Sequence, residues 1–258
     1  MRNTALPILA LAVALTACGG GGDDDDVGTP SPTPSPAPTP VPAPTPSASA
    51  SPLSGAWQGT ATDGSSLNAV VLDDGKLWLV GLRGGQPSIQ VHGATQASSG
   101  RLSSSVRYVD YGAPLFISGS LQGSYVPGSS ISATLTAGGV VTGPHTLTPM
   151  PKAVFDYDRA ASLSDVTGSW VAQGTQITVR ADGAFETLSN GCRNTGTVKP
   201  DARKNVFALN LTMGAAPCAY PGQRLTGVVV TFSSAGKPTL LATALNDQLS
   251  LTLPAVRP

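Results

Sequence analysis

The chain has 258 residues, with 15 Lys and Arg against 15 Asp and Glu, no net charge, and charged residues making up only 12% of the total. Such a balance, with arginines scattered from Arg83 to Arg257, leaves no basic footprint for nucleic acid. Ten of the 23 prolines crowd into one early stretch, residues 30–52, so the chain divides into a part that cannot bury a core and a longer part that can.

Residues 1–17 carry a basic start at Arg2, an apolar run from Ala5 to Leu15 and a small-residue end, the layout of a secretory signal. A bilayer crossing needs about 20 apolar residues, and this run ends sooner, in glycines and aspartates. Leu15-Thr16-Ala17-Cys18 resembles the lipobox of bacterial lipoproteins. The resemblance implies cleavage before Cys18, lipidation with diacylglycerol on its sulfur, and acylation (palmitate or a similar chain) of the new amine. Several acyl chains on one residue hold a protein firmly to the bilayer, at about 0.8 kcal/mol per buried methylene. Gly19 follows the cysteine where an aspartate would signal retention in the inner membrane, so the resemblance implies an outer-membrane anchor. The periplasmic and cell-surface faces both stay open.

Residues 18–52 read as a disordered linker: Asp23 to Asp26 as a solvated spacer, then proline at nearly every second position from Thr29 to Pro52. Proline fixes φ and removes an amide donor, so this tract favours polyproline II and a stalk of about 75 Å.

From Leu53 onward the pattern is all-β. In Ser130–Ala137, Ile131, Ala133 and Leu135 alternate with polar residues, and Phe207, Leu209 and Leu211 do the same further on. Turn pairs punctuate such runs: Asp74-Gly75, Pro127-Gly128, Asp182-Gly183, Asn190-Gly191 and Pro221-Gly222. An internal repeat then sets the domain count. Leu53-Ser54-Gly55-Ala56-Trp57 returns as Val166-Thr167-Gly168-Ser169-Trp170, each followed by an Asp-Gly turn and an aromatic, Trp78 and Phe185. Gly119-Ser120-Leu121 and its following strand similarly match Gly196-Thr197-Val198. The reading is a β domain at 53–148, a linker at 149–164 and a second β domain at 165–258. The linker holds the one expected helix, near Arg159 to Ser164 with Asp158 as its cap, and a solvated Asp156-Tyr157-Asp158.

Gly55-x-Trp57 and Gly168-x-Trp170 resemble the opening of lipocalins and related calycin barrels, and the second also resembles avidin-like barrels. The resemblance covers about twenty residues per domain. It implies two small antiparallel β-barrels, with Trp57 and Trp170 as plugs of the closed end; paired β-sandwiches are the alternative. Trp170 alone in its domain is too little for a biotin site. Lipoproteins of the transferrin-binding type carry paired barrels in the same way, a likeness of architecture.

With Cys18 lipidated, Cys192 and Cys218 remain as an even pair in an oxidising compartment and predict a disulfide between two irregular segments. Its loop-closure contribution is about 3–4 kcal/mol. No motif for chemistry stands out. His92 and His145 read as strand-end or loop residues, the only glutamate is Glu186, and no Gly-x-Ser-x-Gly elbow, His-Glu-x-x-His helix or phosphate loop occurs. Arg107, Tyr108 and Tyr111 form either an exposed recognition patch or a barrel-edge cap.

The expectation is therefore a non-enzymatic binding module, without metal or cofactor, anchored at the outer membrane and meeting a protein or glycan partner through its barrel-end loops. Two alternatives stand beside it: a carrier of a small hydrophobic ligand, and a hydrolase whose site is assembled across the fold.

Overall fold

Each alternating run becomes one strand of a ring. The computed structural model describes residues 50–113, 115–234 and 236–258. The signal segment, Cys18 and nearly all of the proline tract lie outside the described residues. Barrel one closes through β1 (Gly55–Thr60), β2 (Ser66–Val71), β3 (Lys76–Arg83), β4 (Gln86–Ser98), β5 (Arg101–Asp110), β6 (Leu115–Val126), β7 (Ser130–Ala137) and β8 (Val140–Pro149), every neighbour antiparallel. Barrel two closes through β9 (Gly168–Ala172), β10 (Thr175–Val179), β11 (Ala184–Ser189), β12 (Cys192–Pro200), β13 (Phe207–Thr212), β14 (Arg224–Ser234), β15 (Lys237–Leu245) and β16 (Ser250–Val256). The all-β reading and the choice of barrels over sandwiches hold.

The five predicted turns each place their glycine at positive φ. Gly75 and Gly183 show why no other residue serves. Their backbone is left-handed, at φ 82° and 83°, and a Cβ would come within 2.9 Å of the Thr95 carbonyl and 2.4 Å of the Val198 carbonyl. Those two carbonyl-bearing residues return the contact, since the Thr95 and Val198 amides donate to the Gly75 and Gly183 oxygens, both at 2.8 Å.

The two barrels open alike. Trp57 Nε1–H donates to the Leu53 carbonyl at 2.9 Å, and Trp170 Nε1–H to the Val166 carbonyl at 2.7 Å. Both rings are buried at one barrel end, so the Gly-x-Trp motif is a plug whose polar atom is satisfied by the segment running into the first strand. Two parts of the sequence repeat do not carry over. Trp78 stands three residues after Gly75 and Phe185 two after Gly183; with a side-chain period of two, Trp78 faces out of barrel one while Phe185 faces into barrel two. The ladder also pairs Leu77 with Gly93 and Phe185 with Gly196, so Gly93 on the fourth strand, and not Gly119 on the sixth, is the counterpart of Gly196.

The segment between the barrels departs from expectation. The helix, α1 (Leu163–Val166), begins later than predicted and is capped by Ser162 and Asp165 in a capping box, not by Asp158. Nor is Asp156-Tyr157-Asp158 a solvated link. Phe155 and Tyr157 both enter a core shared with Ala56, Val70 and Val80 of barrel one and Val206, Val230 and Leu241 of barrel two. The Tyr157 hydroxyl donates to the Val71 carbonyl at 3.1 Å, and burial pushes it up to about 12.

Arg107 and Tyr111 also join the barrels. The Tyr111 hydroxyl contacts Gln90 Oε1 at 2.8 Å, Ser250 Oγ at 2.6 Å and Thr252 Oγ1 at 2.9 Å, and Arg107 pairs with Asp247 at 3.1 Å. Gln90 is fully buried there, its oxygen taking hydroxyl donors from both barrels.

Candidate functional site

The interior of barrel one is hollow. A cavity of about 240 Å³ runs inside it, whereas the interior of barrel two leaves about 30 Å³. Ladder positions explain the difference residue by residue. Opposite the plugging tryptophan, barrel one has Ala69 and barrel two Ile177. Next around the ring come Leu77 against Phe185, then on the fifth strand Leu102 against Phe207 and Ser104 against Leu209. In these four pairs the smaller side chain is in barrel one, whereas Leu79 against Thr187 and Leu121 against Gly227 run the other way. An eight-stranded barrel is just wide enough for its own side chains or for one small ligand, so the net of such differences decides which.

One end of the cavity is closed by Leu53 and Trp57. The other reaches the β1–β2 loop, where Thr62, Asp63 and Ser65 line it, together with Ser88 of β4, Tyr108 of β5, and Thr142 and His145 of β8. Between them the walls are mostly Leu, Val, Ile and Ala, with Thr95, whose hydroxyl already donates to the Gly75 carbonyl, toward the opposite end. A mainly apolar body with a few polar groups is the common make-up of small-molecule sites.

Two of those polar groups are placed by β-bulges. Gly81 pairs with Ile89 and Leu82 with Pro87, which leaves Ser88 as an extra residue on β4. Ala133 pairs with His145 and Leu135 with Thr142, so Thr134 opposes both Gly143 and Pro144 on β8. A bulge bends its strand and re-aims side chains. Ser88 and Ile89, consecutive in sequence, consequently both line the cavity, as do Thr142 and His145. Ser88 Oγ and His145 Nδ1 are buried there with no hydrogen-bond partner among the described residues. Leaving such atoms unpaired costs about 1–3 kcal/mol each. Burial also holds the His145 imidazole below histidine's ordinary value, which favours its neutral form. β4 and β8 lie half a ring apart, so the two atoms stand on opposite walls.

His92 and His145 thus lie within strands, not at strand ends or in loops. His92 points outward from β4, stacked on Trp78 with ring centroids 3.9 Å apart, its Nδ1–H donating to the Leu77 carbonyl at 2.9 Å. Burial lowers its basicity against the raising effect of that bond.

In barrel two the Cys192–Cys218 disulfide is formed. Cys192 opens strand β12 and is not in an irregular segment; Cys218 is buried in the loop after β13. The bridge fastens that loop to the β11–β12 turn, at the far end of the chain from the cavity's residues. Trp57 and Trp170 are buried with their indole N–H groups bonded to backbone carbonyls, and Trp57 also lines the cavity. Sequence reasoning missed Ser88 and the inward aim of His145, and the Gly-Pro pair at 143–144 was the available sign of a bulge. No protein-family model, curated protein or solved structure matches this chain.

Proposed function

We propose that this is a lipid-anchored envelope lipoprotein that binds a small, mainly apolar molecule inside barrel one. The reading rests on a single observation, the cavity of about 240 Å³ in one of two barrels built on the same plan. A volume of that size suits ligands smaller than those filling pockets of about 300–1,000 Å³. The carrier reading therefore ranks above the general interaction module. Against the hydrolase reading, Ser88 and His145 stand on opposite walls and share no hydrogen bond, so these two do not pair as nucleophile and base.

The anchor completes the proposal. Lipidated Cys18 and the proline tract would hold the barrels away from the outer membrane at the end of a stalk. Replacing Cys18 by Ala is expected to release the protein from the membrane fraction with its barrels folded. Retention in the membrane would overturn the anchor. For the ligand, calorimetric titration of the purified full-length protein with octanol is expected to saturate at one site per chain and to be abolished by Ala69→Ile, which gives barrel one the filling of barrel two. Binding that survives Ala69→Ile would move the site elsewhere.

A second reading has one observation behind it. Val140 and Val141, at the tip beside the cavity's polar end, are 63% and 64% exposed. Such a tip suits contact with a partner protein. Val140→Ser with Val141→Ser would weaken partner capture and leave octanol binding intact.

A further inference from the structure

The cavity's orphaned atoms specify more than a hydrophobic guest. Beside each register shift recorded in the ladders of barrel one stands an inward polar side chain, Ser88 and His145, and both side chains end in a buried atom without a partner. Barrel two, among the described residues, has neither a register shift nor an unpaired buried side-chain atom. Of the three such atoms among the described residues, two lie in the hollow interior, none lies in the filled one, and the third, Gln90 Nε2, lies between the barrels. Groups of this kind persist in a protein where something outside the chain completes them.

Charge narrows the guest. No lysine or arginine lines the cavity, and Asp63, its one acidic lining residue, is already engaged by Arg83. A carboxylate or ammonium carried inside would find no counter-charge, and an unpaired buried charge is far more costly than an unpaired dipole. A hydroxyl or carbonyl group has no such difficulty. Ser88 Oγ can donate or accept, and neutral His145 can do either at Nδ1 according to its tautomer.

Building on the carrier reading, we infer that barrel one selects uncharged amphipathic molecules, with Ser88 and His145 hydrogen-bonding the hydroxyl or carbonyl oxygens of a guest whose apolar body lies toward Trp57. Alcohols, ketones and lactones belong to this class; fatty acids and alkylamines do not.

The test titrates the purified full-length protein at neutral pH with four probes of equal carbon number: octanol, γ-octalactone, octanoate and octylammonium. The neutral pair is expected to bind at least about tenfold tighter than either charged probe. Ser88→Ala and His145→Phe are each expected to weaken octalactone binding by about fivefold to tenfold, the value of one hydrogen bond. Neither should lower the melting temperature of the unliganded protein, because each removes an atom that has no partner. That combination separates a ligand contact from a structural role, in which affinity and stability fall together. Ser88→Thr, which keeps the hydroxyl, is expected to retain more of the octalactone affinity than Ser88→Ala. Equal or tighter binding of octanoate or octylammonium, or unchanged octalactone affinity in both variants, would overturn the assignment while leaving the cavity as a site. Failure of all four probes would overturn the carrier reading with it.

Discussion

Barrel one and barrel two share a strand plan, a tryptophan plug and a second-turn geometry, and differ in what fills them. Barrel two closes its interior with Ile177, Phe185, Phe207 and Leu209; barrel one places Ala69, Leu77, Leu102 and Ser104 at the same ladder positions. The difference teaches that the backbone plan and the interior are separable: one ring of eight antiparallel strands serves as a packed support or as a container, according to a few side-chain volumes. Barrel two also carries the disulfide, while barrel one carries the two bulges and the orphaned polar atoms.

The largest expected effect comes from breaking the packed member. Trp170→Ala should destabilise the protein by about 3–5 kcal/mol in denaturant unfolding. Trp57→Ala should cost less, because part of the Trp57 ring already faces open volume and has fewer contacts to lose. Equal losses would contradict the difference in packing.

Loss of the Cys192–Cys218 bridge, by reduction or by double substitution with serine, should cost about 2–4 kcal/mol. Octanol affinity should stay unchanged under native conditions, since no cavity residue touches the bridge. A parallel fall in affinity and stability would mean that the barrels do not act separately.

Converting one interior into the other is the sharper comparison. Ala69→Ile with Leu77→Phe should raise stability by about 0.5–2 kcal/mol as the void fills, provided the new side chains find unstrained rotamers. The same change should end ligand binding. A loss of stability would show that the cavity is held open by rigid walls.

The smallest effect is on acid stability. Burial depresses the basicity of both His92 and His145 in the folded state. The unfolded chain therefore takes up protons first as pH falls through histidine's ordinary value of about 6.5, and stability declines from there until the folded-state groups titrate as well. Above that pH neither histidine contributes a slope. Replacing His92 by Phe, which keeps the stack on Trp78, should flatten part of this decline in melting temperature between pH 7 and pH 5.

Much of this fold was legible from local signals. Glycine after aspartate or proline marked five turns, alternation marked the inward faces of β7 and β13, and two leftover cysteines marked the bridge. The closed rings followed from a short resemblance and held. The site was far less legible. A bulge exists only once two strands are in register, so the inward turn of Ser88 and His145 depends on partners a whole strand away. Parity carries the same lesson. Trp78 and Phe185 look equivalent after their Asp-Gly turns, but one extra residue sends Trp78 to the opposite face. Gln90 is the extreme case, a polar residue in a strand interrupted by a bulge that proves fully buried between two barrels. Contacts between distant segments, such as Tyr111 with Ser250 and Thr252, leave no trace in local pattern.

The central claim is that barrel one is a container and barrel two is not. Methyl-detected NMR of the full-length protein titrated with octanol tests it most directly. Saturable shifts at Leu77, Val91 and Leu135 in barrel one, with Ile177 and Leu209 in barrel two unmoved and all shifts lost in Ala69→Ile, are the predicted result. Shifts of equal size in both interiors, or none in barrel one, would contradict the account.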